Sequence, residues 1–195
     1  MSEKWDMRIW GTRGSLPMAG EKYMEYGGNT SCVSVECRDK LVIFDAGSGL
    51  AWLGMELARR KTFKPLHLFI SHPHIDHLIG LFGFSPLYDK RWEIHIYGEE
   101  RNDVSFDTQL KGLIGPPYWP LGLKDFQGKV FIHKIQPGEK IILEDTSVKA
   151  IRGEHPGNVL LFSMESPGKK IGYSLDCEPD EKMMKTAAEV FKGAD

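Results

Sequence analysis

Cysteine is scarce in this chain: Cys32, Cys37 and Cys177 are its three thiols among 195 residues. The number is odd and no C-x-x-C pair occurs, which argues against a disulfide framework. Cys32 and Cys37, in an apolar strand-like run, are expected to be small buried thiols, and the cytoplasm is the default location. Charge of one sign is also missing. Lys plus Arg is 25 and Asp plus Glu is 27, a formal net charge of -2. A chain so balanced has no overall basic field to attract a polyanion, although a local basic patch remains compatible with it. No apolar run approaches the roughly 18 residues that a membrane span needs. The segment Met1 to Arg13 is polar and mixed, without the apolar core of a secretory signal. Internal repeats and low-complexity stretches are absent as well.

Apolar residues make up 41% and charged residues 27% of the chain, the balance of a globular protein with one sizeable core. Short apolar runs predict strands at Arg8–Trp10, Cys32–Cys37, Leu41–Asp45, Leu66–Ser71, Glu93–Tyr97, Lys129–Ile135, Ser147–Ile151, Val159–Met164 and Lys170–Leu175. The turn residues Ser166-Pro167-Gly168 predict a hairpin between the last two. Helices are expected at Ser48–Arg60, with Leu50, Leu53, Leu57 and Ala58 on one face, and at Pro179–Lys192, with Met183, Met184, Ala187, Val190 and Phe191 on one face and Gly193 as its stop. The stretch Gly112–Gly122, rich in Gly, Pro and aromatics, reads as loop. Strands outnumber helices and are interspersed with them, which supports an α+β or α/β sandwich.

The chemical signal is Ser71-His72-Pro73-His74-Ile75-Asp76-His77, an H-x-H-x-D-H run directly after an apolar strand. Imidazole and carboxylate are the ligands that a borderline divalent ion such as zinc prefers. In an extended strand, residues i and i+2 share a face, so His72 and His74 are expected to converge on one ion. Asp76 and His77 follow where the chain turns and are expected to face a second ion. Four such side chains in six positions would be costly to bury without a metal. The remaining histidines divide. His67, His95 and His133 lie in strand patterns and read as surface or partly packed residues. His155, in the turn Glu154-His155-Pro156-Gly157-Asn158, and Asp176, after the apolar run Ile171–Leu175, sit at strand ends, where sheet proteins place their sites. Either one alone would pass as an ordinary turn residue.

Taken together, these motifs resemble the metallo-β-lactamase superfold, an α+β four-layer αββα sandwich with a dinuclear metal site at the rim of its sheets. Phe44-Asp45-Ala46-Gly47 resembles the first motif of that family, His72–His77 the second, His155 the third and Asp176 the fourth. The resemblance spans Arg8 to Asp195 and implies a single domain over residues 1–195. It implies that His72, His74 and His155 hold one ion, that Asp76 and His77 hold the other, and that Asp176 bridges them. Asp45 is expected to support the site without ligating. Zinc is the expected metal, one or two ions per chain, with manganese or iron able to fill the same ligands.

Asp176 stands where the true β-lactamases carry cysteine. Trp10-Gly11-Thr12-Arg13-Gly14-Ser15, Gly27-Gly28-Asn29-Thr30-Ser31-Cys32, His155-Pro156-Gly157 and Tyr173-Ser174-Leu175-Asp176 resemble the phosphodiesterase branch, which includes ribonuclease Z and the phosphoribosyl cyclic phosphate phosphodiesterases. The implied activity is a metal-dependent phosphodiesterase on a small phosphodiester such as a cyclic nucleotide or cyclic ribose phosphate. Asp76 is expected to orient the attacking water and carry its proton as well as hold metal. Nucleic acid is the less favoured substrate because the chain lacks a basic surplus and an inserted basic arm. Gly27–Ser31 reads equally as a phosphate-facing turn or as a plain turn before a strand. Tyr118 and Trp119 read as base-stacking residues or as a loop packed on its own domain. A homodimer is expected by analogy, and no membrane association. One departure stands out: no histidine follows His155, whereas the resembled family supplies a further one to the second ion. That implies a missing last strand and helix and weaker binding of the second ion. A thioester, lactone or lactam hydrolase and a non-catalytic metal-binding module are the competing readings.

Overall fold

The computed structural model describes residues 4–101, 103–178 and 180–194. The described residues fall into two compact units, 4–134 and 135–194. The first is built on a six-stranded sheet, in the order β1 (Asp6–Gly11), β2 (Cys32–Glu36), β3 (Leu41–Phe44), β4 (Leu66–Phe69), β5 (Glu93–Glu99) and β6 (Lys129–Ile135). β1, β2 and β3 are antiparallel neighbours, whereas β3, β4 and β5 run parallel. Parallel strands need crossovers, and helix α1 (Gly49–Leu57) supplies the one between β3 and β4.

Period-two alternation sorts the side chains of this sheet. Leu66 and Leu68 of β4 and Ile94 and Ile96 of β5 join the core formed with Leu50, Leu53 and Leu57 of α1 and with Phe106 and Leu110 of α2 (Phe106–Leu113). On the other face Phe69 stacks on Tyr97, with ring centroids 4.4 Å apart. His67 shares that face and stacks on His95 at 4.9 Å, and His95 on His133 at 5.1 Å. These three histidines are partly buried and stack ring on ring, a relation across three strands that their strand positions do not announce.

The second unit is a four-stranded antiparallel sheet in the order β10 (Lys169–Tyr173), β9 (Val159–Ser166), β8 (Thr146–Gly153) and β7 (Lys140–Leu143). The predicted hairpin is present: Ser166 pairs with Lys169 across Pro167-Gly168, and Gly168 takes φ +78°. Helix α3 (Glu181–Phe191) packs Met183, Ala187, Val190 and Phe191 against Ile151, Val159 and Leu161. The Asp180 carboxylate caps it by accepting the Met183 N–H at 2.6 Å.

Several sequence expectations need correction. The first helix ends at Leu57 rather than Arg60, because the Arg59 and Arg60 amides bond three residues back. Arg60 then leaves the helix to clamp Glu36 with two 2.8 Å hydrogen bonds. The last helix covers Glu181–Phe191; of its expected span, Pro179 lies outside the described residues, and Met184 is exposed rather than on the packed face. Helix α2 and strand β7 (Lys140–Leu143) lie outside the elements that the sequence pattern predicts. Two buried residues anchor α2, and β7 leaves Ile142 exposed, so neither carries much periodicity. Helix α2 also extends into the expected Gly112–Gly122 loop. Cys32 and Cys37 are buried, but Cys177 is only partly covered. Among the described residues no helix is long and apolar enough to cross a membrane.

Candidate metal centre

The H-x-H-x-D-H run lies just past the end of β4. The sheet ladder continues one residue, with Ile70 N–H bonded to Tyr97 C=O at 2.8 Å, and the chain then leaves the sheet. The strand therefore stops before His72, which corrects the expectation that His72 and His74 share an extended strand face. They converge all the same: His72 Nε2 lies 2.9 Å from His74 Nδ1. His72 is buried and His74 exposed, so the pair runs from the interior to the surface.

Ile75–His77 form a 3-10 turn that brings His77 back beneath His72, ring centroids 4.3 Å apart. The turn is held by its neighbours. Ala46 N–H donates to His77 C=O, and Gly80 N–H donates to Ala46 C=O, both at 2.8 Å. This approach demands glycine. A Cβ on Gly80 would stand 2.0 Å from the Gly47 carbonyl oxygen.

Asp45 organises the interior of the cluster. It follows β3 with φ +60°, a left-handed backbone that aspartate tolerates better than most residues. Its Oδ1 accepts the Ser71 N–H at 2.7 Å, and its Oδ2 accepts the Ser71 hydroxyl at 2.9 Å. The same Oδ2 lies 2.7 Å from His77 Nδ1, both side chains being wholly buried. A carboxylate there fixes Nδ1 as the protonated nitrogen and makes Nε2 the nitrogen that carries the lone pair. His77 Nε2 lies 3.5 Å from Asp76 Oδ2. Asp45 thus supports the cluster through His77 and Ser71.

Asp76 is tied to the N-terminal part of the chain. Its Oδ2 accepts the Ser15 N–H at 2.8 Å, a contact across 61 positions that no local pattern announces. Ser15 adopts φ +66° to present that amide. Nearby, Ser48 and Thr30 cross-bond: Ser48 Oγ accepts the Thr30 N–H and Thr30 Oγ1 accepts the Ser48 N–H, at 2.9 and 2.8 Å. Ser48 Oγ also lies 3.2 Å from Asn29 Oδ1, so the Asn29 carboxamide is engaged in holding the start of α1.

Ligand-type atoms of His72 and His74 lie within 4.8 Å of one another, and so do those of His72 and His77. Convergent imidazole nitrogens, one with its tautomer fixed by a buried carboxylate, form a donor set that suits a divalent transition ion.

His155 and Asp176 belong to the other unit. His155 lies in the β8–β9 turn, closed by Asn158 N–H to His155 C=O at 2.7 Å, with Gly157 and Asn158 both at positive φ. Asp176 follows β10 at φ +45°. Glu178 N–H donates to Glu154 C=O at 2.7 Å, so the two segments run side by side at one end of the C-terminal sheet. Tyr118 is 78% exposed, whereas Trp119 packs on Phe82 at 4.8 Å. The aromatic pair is therefore split: Trp119 anchors the loop and only Tyr118 is available to a ligand.

Comparison with known proteins identifies the family. Residues 26–167 match the model of the metallo-β-lactamase superfamily. Ribonuclease Z of Pyrococcus horikoshii is 24% identical over 150 residues, which is 75% of this chain and 46% of that protein. The chain thus spans less than half the length of that relative. Among solved structures, the short form of human tRNase Z superposes with a TM-score of 0.67 at 20% identity, covering 97% of this chain and 75% of that one. A diphosphatase from the PhnP family superposes with a TM-score of 0.67 at 17% identity, covering 98% and 71%. Two sheets with few helices, a buried Asp45 behind the histidine cluster and a family match over most of the chain lead to one conclusion: this chain belongs to the metallo-β-lactamase superfamily.

Proposed function

We propose that the chain carries the metal site of a phosphodiesterase acting on a small phosphodiester, such as a cyclic nucleotide or a cyclic ribose phosphate. The observation that carries the reading is the approach of His72 to both His74 and His77, with the His77 tautomer set by Asp45. On the family pattern, Asp76, His155 and Asp176 are assigned as the remaining ligands, and zinc as the ion, with manganese or iron as substitutes. When bound, such ions supply a nucleophile near neutral pH and steady the oxygens of the phosphoryl group.

The protein's own part is positioning and proton transfer. Ser15 N–H holds Oδ2 of Asp76, which leaves Oδ1 to accept a proton from the attacking water. His72 and His77 are buried and keep their orientation without substrate, so the ligand set is preorganised. Phosphoryl rather than acyl chemistry is supported by Asp176 at the bridging position and by the names of the relatives, a ribonuclease Z and a diphosphatase.

A second reading, RNA processing of the ribonuclease Z kind, is favoured by the curated relatives themselves. The net charge of -2 weighs against it, since transfer RNA is drawn by a basic surface. Assays of the zinc- and manganese-loaded protein on 2′,3′- and 3′,5′-cyclic nucleotides, and on a precursor transfer RNA, separate the two. His74→Ala is the matched control, because His74 is exposed and its loss should leave the metal-free fold within about 0.5 kcal/mol of the original. Hydrolysis of cyclic nucleotides that His74→Ala abolishes is the expected result. Cleavage of the transfer RNA alone favours the second reading, and no turnover of any phosphodiester by metal-loaded protein rejects both.

A further inference from the structure

The C-terminal sheet changes character along the face that carries α3. Ile151, Val159 and Leu161 are covered by the helix, and the strip ends where the helix does, at Phe191. Beyond it the same face turns polar. Lys140 of β7, Ser147 and Lys149 of β8, Ser163 and Glu165 of β9 and Lys170 of β10 surround a cavity of about 450 Å³. Strand register places them. Lys140 lies opposite Lys149, Lys149 opposite Ser163, Ser147 opposite Glu165, and Glu165 opposite Lys170.

Two features of this cavity point to an anion. First, Lys140 and Lys149 face each other directly, and like charges in that position destabilise a sheet. Neither ammonium has an ion-pair partner among the described residues. Lys170 differs, since its Nζ donates to Lys192 C=O at 3.0 Å and Glu165 is its cross-strand neighbour. The two carboxylates of the lining, Glu165 and Glu189, therefore leave the β7–β8 side of the cavity positive. Second, the hydroxyls beside the lysines belong to buried residues, Ser147 and Ser163 being 8% and 4% exposed. The Ser163 hydroxyl donates to Val190 C=O only at the long distance of 3.5 Å and can turn toward an anion; with the Ser147 hydroxyl and the two ammonium groups it offers rotatable donors that match the oxygens of a phosphate.

We infer that the cavity between α3 and the strands β7, β8 and β9 binds a phosphate-bearing anion through Lys140, Lys149, Ser147 and Ser163. The site lies wholly within the C-terminal unit and does not depend on the function proposed above. The phosphate can belong to a small molecule or to a nucleic-acid backbone, since both present the same oxygens.

The test is an amide chemical-shift titration of the metal-free full chain in EDTA. The probes are inorganic phosphate, a short single-stranded oligoribonucleotide without terminal phosphates, and sodium chloride at matched ionic strength. Saturable shifts at Ser147, Lys149 and Ser163 with a phosphate probe and none with chloride are expected. They should persist in His74→Ala and weaken about tenfold in Lys149→Gln, the loss of one charge-assisted hydrogen bond. Lys140→Gln provides a second, independent variant on an exposed side chain. Tighter binding of inorganic phosphate identifies a small phosphate as the ligand; tighter binding of the oligonucleotide identifies a backbone. Shifts that are absent, that fail to saturate, that chloride reproduces, or that both lysine variants leave unchanged overturn the inference.

Discussion

Asp45 Oδ2 and His77 Nδ1 lie 2.7 Å apart with both side chains fully buried, although 32 positions separate them in the chain. The carboxylate sets the imidazole tautomer and, through its two bonds to Ser71, the path of the chain into the metal motif. Asp45→Asn keeps the shape but weakens the acceptor facing His77. Metal affinity is expected to fall about 10- to 100-fold, measured by competition with a chromophoric chelator. Asp45→Ala should in addition destabilise the metal-free protein by about 3 kcal/mol in urea, because it leaves the buried Ser71 donors without an acceptor. An unchanged affinity in Asp45→Asn would show that the contact plays no part in metal binding.

Gly80 makes a steric prediction in the same region. An added methyl would meet the Gly47 carbonyl oxygen at 2.0 Å and Leu50 Cβ at 2.8 Å, with backbone on one side and the helix core on the other. Gly80→Ala is expected to cost about 3 kcal/mol and to weaken metal binding, since the turn carrying Asp76 and His77 must shift. Gly14, with nothing within 4 Å of its Cβ position, is the control; Gly14→Ala should stay within about 0.5 kcal/mol. Thermal or urea denaturation of the two variants side by side decides the point.

His67 governs a pH dependence unrelated to metal. Burial, with the charges of His95, Lys40 and His133 adding to it, lowers its pKa from 6.5 to about 4. The unfolded chain therefore binds a proton at this residue between those two values while the folded chain does not. Stability contributed by neutral His67 is complete above pH 6.5 and is lost as pH falls toward 4. The loss is at most about 3 kcal/mol. Urea midpoints at about pH 7 and about pH 4.5 should show a smaller acid loss in His67→Gln than in the parent protein. Equal slopes would refute the assignment.

Much of the candidate site is readable because four of its residues are adjacent in the chain. His72, His74, Asp76 and His77 are dense enough in metal-binding atoms that the motif stands out without any knowledge of the fold. The strand before them and the helix after Asp45 show in local periodicity, since a buried strand and an amphipathic helix write their own patterns. The ends of these elements were less legible. His72 lies off the strand because Ser71 is drawn to Asp45, and α1 stops where Arg60 turns toward Glu36. Both endings depend on partners that local spacing does not encode.

By itself, then, the sequence determined the type of chemistry, an imidazole and carboxylate cluster at the end of an apolar strand, and the alternation of strands and helices around it. Tertiary structure decided which nitrogen of His77 faces Asp45, which oxygen of Asp76 is held by Ser15, and that Tyr118 rather than Trp119 is exposed. It also decided that Lys140 and Lys149 face each other across β7 and β8. Each of these is a relation between residues distant in the chain or a matter of which side of a packed element is covered. Composition and periodicity describe how a segment folds on itself, whereas a partner many residues away is chosen by the packing of the whole unit.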